Sequence, residues 1–135
     1  MKCDAGEEGA VSILLAEDDK VAGEILCSLI SKRYPKVPLY FAKNGKDGVE
    51  LFREKCSSIV ITDVKMPVMD GIQMASAIKS LKADTKFIVM TAYSEQQYFD
   101  KFHEMGCVAY ITKPIEFGKL FSAIDRCFGE LQVPG

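Results

Sequence analysis

The chain has 135 residues, 48% of them hydrophobic and 27% charged, with a net charge of -2. That length suits one domain with a full core and is short for two, and the charge offers no broad basic surface for nucleic acid or an anionic membrane. The opening MKCDAGEEGA lacks an apolar stretch of signal-peptide length, and no later segment approaches the roughly 20 apolar residues that span a bilayer, so a cytoplasmic protein is expected.

Val11 to Ala16, VSILLA, is an apolar run ending in charge and predicts a first strand; DKVAGEILCSLISKRY then places Val21, Ile25, Leu29 and Ile30 at helical spacing. Pro35 and Pro38 break the chain before a short strand, LYFA, which the Lys43-Asn44-Gly45 turn signal closes, and Val49, Leu51 and Phe52 begin a second helix. IVITD, from Ile59 to Asp63, is a buried strand ending abruptly in a carboxylate. Met66-Pro67 reads as a turn, and from Asp70, the expected N-cap, Ile72, Ala75, Ile78 and Leu81 recur on one side of a third helix. KFIVMT is strand four. SEQQYFDKFHEM is helix four, with Ser94 as N-cap, Gly106 as a left-handed stop, and a Tyr98, Phe102 and Met105 stripe read as core packing. VAYIT makes strand five, and EFGKLFSAIDRCFGEL a closing helix with Leu120, Ile124 and Phe128 at four-residue steps.

Five strands alternating with five helices predict an α/β fold, a doubly wound, mainly parallel sheet with helices on both faces. The expected organisation is a tail over 1–10, one domain over 11–131 and a tail over 132–135, with no effector domain after helix five. The cysteines Cys3, Cys27, Cys56, Cys107 and Cys127 are scattered and never spaced as C-x-x-C, so they read as reduced, apolar residues. His103, the sole histidine, reads as a surface residue.

Ligands of open parallel sheets bind beyond the carboxyl ends of the strands. Those ends read AEDD, TDVKMP, MTAYS and ITKP. Glu17, Asp18 and Asp63 would crowd negative charge into one crevice that calls for a compensating hard cation such as Mg2+. Asp19 reads as the cap of helix one. An ionised aspartate attacks phosphorus without a general base, and transfer further needs a cation and a hydroxyl donor, which Lys113 and Thr91 supply. The small Ala92 would let a backbone N–H approach a phosphoryl oxygen.

These residues resemble the receiver domains of two-component response regulators. The match runs from Val11 to about Leu131 through ILLAEDD, TDVKMPVMDG, MTA and YITKP, in order and each at a strand end. The resemblance implies the flavodoxin-like strand order 2-1-3-4-5 and a phosphorylation switch fed by a sensor histidine kinase or histidine phosphotransfer protein. It implies Asp63 as phosphoacceptor, Mg2+ held by Asp18, Asp63 and the Lys65 backbone carbonyl with Glu17 acting through water, Lys113 and Thr91 on the phosphoryl group, and a cis Lys113-Pro114 peptide. Tyr110 would swing inward with Thr91 and remodel the surface of helix four, strand five and helix five for a downstream protein, with dimerisation on phosphorylation an open alternative. Lys65 and Tyr93 occupy positions that vary in the family and influence how water reaches the acyl phosphate. Two rivals share part of the pattern. A flavodoxin-like cofactor carrier would need a phosphate loop where AEDDK stands, and a haloacid-dehalogenase-type phosphatase would need an acid where Lys65 stands.

Overall fold

The computed structural model describes residues 11–92 and 97–131. Five parallel strands, β1 (Ile13–Ala16), β2 (Leu39–Ala42), β3 (Ile59–Asp63), β4 (Lys86–Thr91) and β5 (Ala109–Thr112), form one sheet in the order β2-β1-β3-β4-β5. Between and after them run α1 (Lys20–Arg33), α2 (Gly45–Lys55), α3 (Gly71–Leu81), α4 (Phe99–Glu104) and α5 (Phe117–Glu130). The predicted class and strand order are both found.

The central strands alternate between two cores because successive side chains leave opposite faces of a sheet. Ile13, Leu15, Ile59, Ile61, Ile88 and Met90 pack with Leu26 and Ile30 of α1 and with Leu120, Ile124 and Phe128 of α5. On the other face, Leu14, Val60, Phe87 and Val89 pack with Phe52 of α2, Met74 and Ile78 of α3, and Phe102 of α4. Burying each such side chain contributes about 1.5–3 kcal/mol. The α1 and α5 layer is further tied by Tyr34 at the end of α1, whose hydroxyl donates to Asp125 Oδ1 at 2.8 Å and lies 3.2 Å from the Phe121 carbonyl. The Arg33 guanidinium adds a cation over the Phe121 ring, 4.9 Å from its centroid.

The starts of α1 and α3 match the capping signals, and Asn44, read from the sequence as part of a turn, caps α2. Asp19 accepts from the Ala22 N–H, Asn44 from that of Asp47, and Asp70 and Gln73 form a reciprocal capping box. Gly106 takes φ 78 after α4, as a left-handed stop requires. The Tyr98, Phe102 and Met105 stripe packs on the core as expected, and His103 is exposed. Ser94 and Tyr93 lie outside the described residues, as do the two tails.

Two expectations need correction. In α1 the buried set is Gly23, Leu26 and Ile30, while Val21 is 65% and Ile25 48% exposed. The helix turns a glycine to the sheet because a Cβ at Gly23 would lie 2.7 Å from the Phe41 ring, and a glycine leaves no mark in an apolar stripe. The reduced state expected of the cysteines holds for Cys27, Cys107 and Cys127 but not for Cys56, which is disulfide-bonded. Scattered single cysteines leave pairing undetermined from sequence.

At Gly71 a Cβ would run into the Asp63 carbonyl oxygen, and the Gly71 N–H donates to the Val64 carbonyl at 2.7 Å. Gly71→Ala is therefore expected to destabilise the protein by about 1–3 kcal/mol. A urea midpoint equal to that of the wild type would contradict this close approach.

Candidate functional site

The sheet register assembles the site. Ala16 lies beside Thr62 and Thr91 beside Thr112, so Glu17, Asp63, Thr91 and Lys113 all emerge at the carboxyl edge. The Lys113 Nζ lies 2.7 Å from Asp63 Oδ2 and 3.5 Å from Glu17 Oε1. The other Asp63 oxygen, Oδ1, accepts the Val64 N–H at 2.8 Å, and Glu17 Oε2 accepts the Asp19 N–H at 3.1 Å.

Burial decides the electrostatics. The Glu17 side chain is only 1% exposed, and its pKa is pushed up to about 7, first by desolvation and then by the Asp63 charge, against the Asp19 N–H and the Lys113 ammonium. Burial works against the Lys113 ammonium too, but Asp63 and Glu17 outweigh it and hold its pKa above the usual lysine value. One cation thus faces two buried carboxylates.

Asp18, exposed at the rim, completes an acidic set: carboxylate oxygens of Glu17, Asp18 and Asp63 lie within 4.8 Å of one another. Three hard oxygen donors on neighbouring loops, only partly neutralised by Lys113, fit a divalent hard cation such as Mg2+. Lys65 lies on the β3–α3 connection, its side chain exposed. In that connection the Met69 N–H donates to the Pro67 carbonyl at 2.7 Å around Val68 at φ 71, a conformation costly for a β-branched residue.

Thr91 is fully buried at the end of β4, its hydroxyl 3.1 Å from the Ala92 carbonyl, and Ala92 is half-buried beside it. Tyr110 stands two positions before Thr112 on β5, half-buried, its ring edge-on to Phe99 at 5.0 Å and tilted against Phe102 at 6.3 Å. The Lys113-Pro114 peptide is cis. Glu17, Asp18, Asp63, Lys65, Thr91, Ala92 and Lys113 lie at this edge, Tyr110 on the strand leading to it, and Tyr93 outside the described residues.

Sequence reasoning missed two features. Phe99, 41% exposed, covers Tyr110 and stacks on His103 at 5.7 Å. A groove of about 380 Å³ beside the carboxylates is lined by Ile25, Leu26, Pro114, Ile115 and Phe117 with Glu17 and Lys113 at its head. Ile25, apolar yet out of phase with the buried face of α1, was the available signal.

The family model described as "Response regulator receiver domain" matches residues 13–125. YesN of Bacillus subtilis, an uncharacterized transcriptional regulatory protein, is 30% identical over 89% of this chain and 33% of its own length. The chain therefore spans about a third of that relative, and a half or less of the Bacillus subtilis and Salmonella regulators it also matches. The chemotaxis protein CheY of Halobacterium salinarum is 29% identical over 86% of this chain and 95% of its own. The crystal structure of the N-terminal domain of an uncharacterized protein from Wolinella succinogenes superimposes with a TM-score of 0.83 at 35% identity, covering 91% of this chain and 98% of that one.

Proposed function

For a chain that belongs to the response regulator receiver domain family, and so to phosphorylation-dependent two-component signalling, we propose that Asp63 is the phosphoacceptor of a protein switch spanning residues 11–131. The observation that carries it is the Lys113 Nζ at 2.7 Å from Asp63 Oδ2, beside three carboxylates with no other resident cation among the described residues.

An Asp63 oxygen attacks the phosphorus of a phosphohistidine, the P–N bond breaks, and the imidazole leaves and takes up a proton; later hydrolysis of the acyl phosphate returns the carboxylate and inorganic phosphate. Lys113 exchanges its contact with Asp63 for one with a phosphoryl oxygen, the Thr91 hydroxyl turns from the Ala92 carbonyl toward the same group, and the Ala92 N–H approaches it. Asp18, Asp63 and the Lys65 carbonyl, with Glu17 acting through water, would hold Mg2+, which would supply positive charge near the phosphoryl oxygens. Chemistry of this kind serves the switch itself and turns over no separate substrate.

The donor is a histidine kinase or histidine phosphotransfer protein. Ile25 and Phe117, exposed and lining the groove that Glu17 and Lys113 also line, suit an apolar protein surface better than a small phosphate donor. Displacement of Thr91 draws Tyr110 inward and alters the α4, β5 and α5 surface, which a downstream protein or a second copy of the chain reads. YesN is named for transcriptional regulation, but at a net charge of -2 this chain alone works through protein contacts. No helix among the described residues is long and apolar enough to cross a membrane. We place the protein in the cytoplasm on the free thiols of Cys27, Cys107 and Cys127 among the described residues, with the Cys56 disulfide as the feature that argues the other way.

Intact-mass measurement after treatment with acetyl phosphate and Mg2+ tests the acceptor. Wild-type protein is expected to gain one phosphoryl group and Asp63→Asn none; equal adducts on both would remove Asp63 from the role.

A further inference from the structure

The start of α4 is held differently from the starts of α1, α2 and α3. Those three helices have Asp or Asn caps, whereas Tyr98, the residue before α4, makes no side-chain cap hydrogen bond. Ring contacts stand there instead. Phe99 lies edge-on to Tyr110, and the Lys65 ammonium sits 5.8 Å from the centroid of the Tyr98 ring. Lys65 is exposed and belongs to the loop that follows Asp63, while the half-buried Tyr98 rests on the core that contains Phe102. One flexible side chain therefore bridges the phosphoacceptor loop and the helix at the switch surface, without passing through Thr91 or Tyr110.

A cation over a ring face is held by the ring quadrupole, a weak attraction at an exposed site. Phosphorylation of Asp63, two residues away, replaces its single negative charge with a phosphoryl group carrying up to two, and a full anionic charge on the phosphoryl oxygens competes strongly with a quadrupole for the same ammonium. We propose that Lys65 and Tyr98 form a charge-sensitive clasp, closed while Asp63 is unmodified and opened by its phosphorylation, so that the start of α4 is released directly from the phosphoacceptor loop. This inference rests on Asp63 being the acceptor. It adds to the Thr91 and Tyr110 route a second connection that is electrostatic rather than steric.

Because a contact made only in the unmodified state opposes the modified one, its removal must favour binding of a phosphoryl mimic. Titration with beryllofluoride and Mg2+, followed by fluorine and proton NMR, provides the test. In the free protein the Lys65 ε-methylene protons are expected upfield of their ordinary position, shielded by the Tyr98 ring. That shift should vanish on saturation with beryllofluoride, and should be absent from the outset in Tyr98→Leu. Tyr98→Leu should bind beryllofluoride about two- to fivefold more tightly, and the same substitution made on a Lys65→Met background should bring no further gain. A bound-fluoride signal with the Lys65 shift unchanged would overturn the clasp and leave Asp63 as the acceptor. So would an equal gain from Tyr98→Leu in both backgrounds, which would mark Tyr98 as a packing residue only. If no bound fluoride appears in the wild type, the receiver chemistry falls and the clasp falls with it. Should Tyr98→Leu prove unstable, the wild-type titration alone still decides, since the Lys65 ε-methylene shift either vanishes or persists when the bound-fluoride signal appears.

Discussion

Lys113→Met is expected to slow acyl-phosphate formation at Asp63 about a hundredfold, the usual consequence of removing one preorganised charge from a transferring group. Methionine preserves most of the stem volume against Pro114 and Ile115 while deleting the ammonium, which now lies 2.7 Å from Asp63 Oδ2. The Lys113 side chain is two-thirds buried and its ammonium faces both Glu17 and Asp63, while no other described cation is within ion-pair distance of either carboxylate. The rate of phosphoryl uptake from acetyl phosphate at saturating Mg2+, followed by mass, measures the effect. A rate within threefold of wild type would show that Lys113 serves the resting carboxylates and not the transfer.

Glu17→Gln should make the metal-free protein more stable at neutral pH and remove a pH dependence. In the folded chain the Glu17 pKa is about 7, against an ordinary 4.5. Between those values the folded state keeps a proton that the unfolded chain has released, so stability falls as pH rises through this window. Below about 4.5 both states are protonated and the penalty is absent; above about 7 it is complete. At about 1.4 kcal/mol per unit, the penalty reaches an order of 3 kcal/mol. Urea unfolding without Mg2+ at pH 5 and pH 8 should show wild type losing stability and Glu17→Gln holding nearly level across the interval. Added Mg2+ should rescue the wild type more than the variant, because the metal supplies the opposite charge that the buried carboxylate lacks. An identical slope in the two proteins would assign the penalty to another group.

The convergence of carboxylates, hydroxyl and ammonium at the sheet edge was readable because each of these residues directly follows or ends an apolar strand, and the parallel topology alone brings those ends together. AEDD, TDVKMP, MTA and ITKP needed no tertiary contact to be placed. Caps such as Asp19 and Asp70 were legible for a similar reason, since a cap is a local interaction. What failed depended on packing between distant elements. Gly23 faces the sheet because the Phe41 ring lies against it, and no helical period in α1 reveals a ring supplied by β2. The α4 surface was the least legible. Tyr98, Phe102 and Met105 gave the buried stripe, but the ring of Phe99 over Tyr110 and the ammonium of Lys65 over Tyr98 join segments many residues apart. The Cys56 disulfide likewise has no signature in the spacing of single cysteines.

The hydroxyl of Tyr34 pins the tail of α1 to the middle of α5, on the face of the sheet opposite α4. Under the proposed reading, α1 therefore keeps its anchor on α5 while the α4, β5 and α5 surface is altered. A kinase or phosphotransfer protein gripping α1 meets the same landing ground in the loaded and the discharged molecule. Its departure after delivery must then be prompted by the altered charge at the mouth of the crevice, since the ground beneath it has not changed shape.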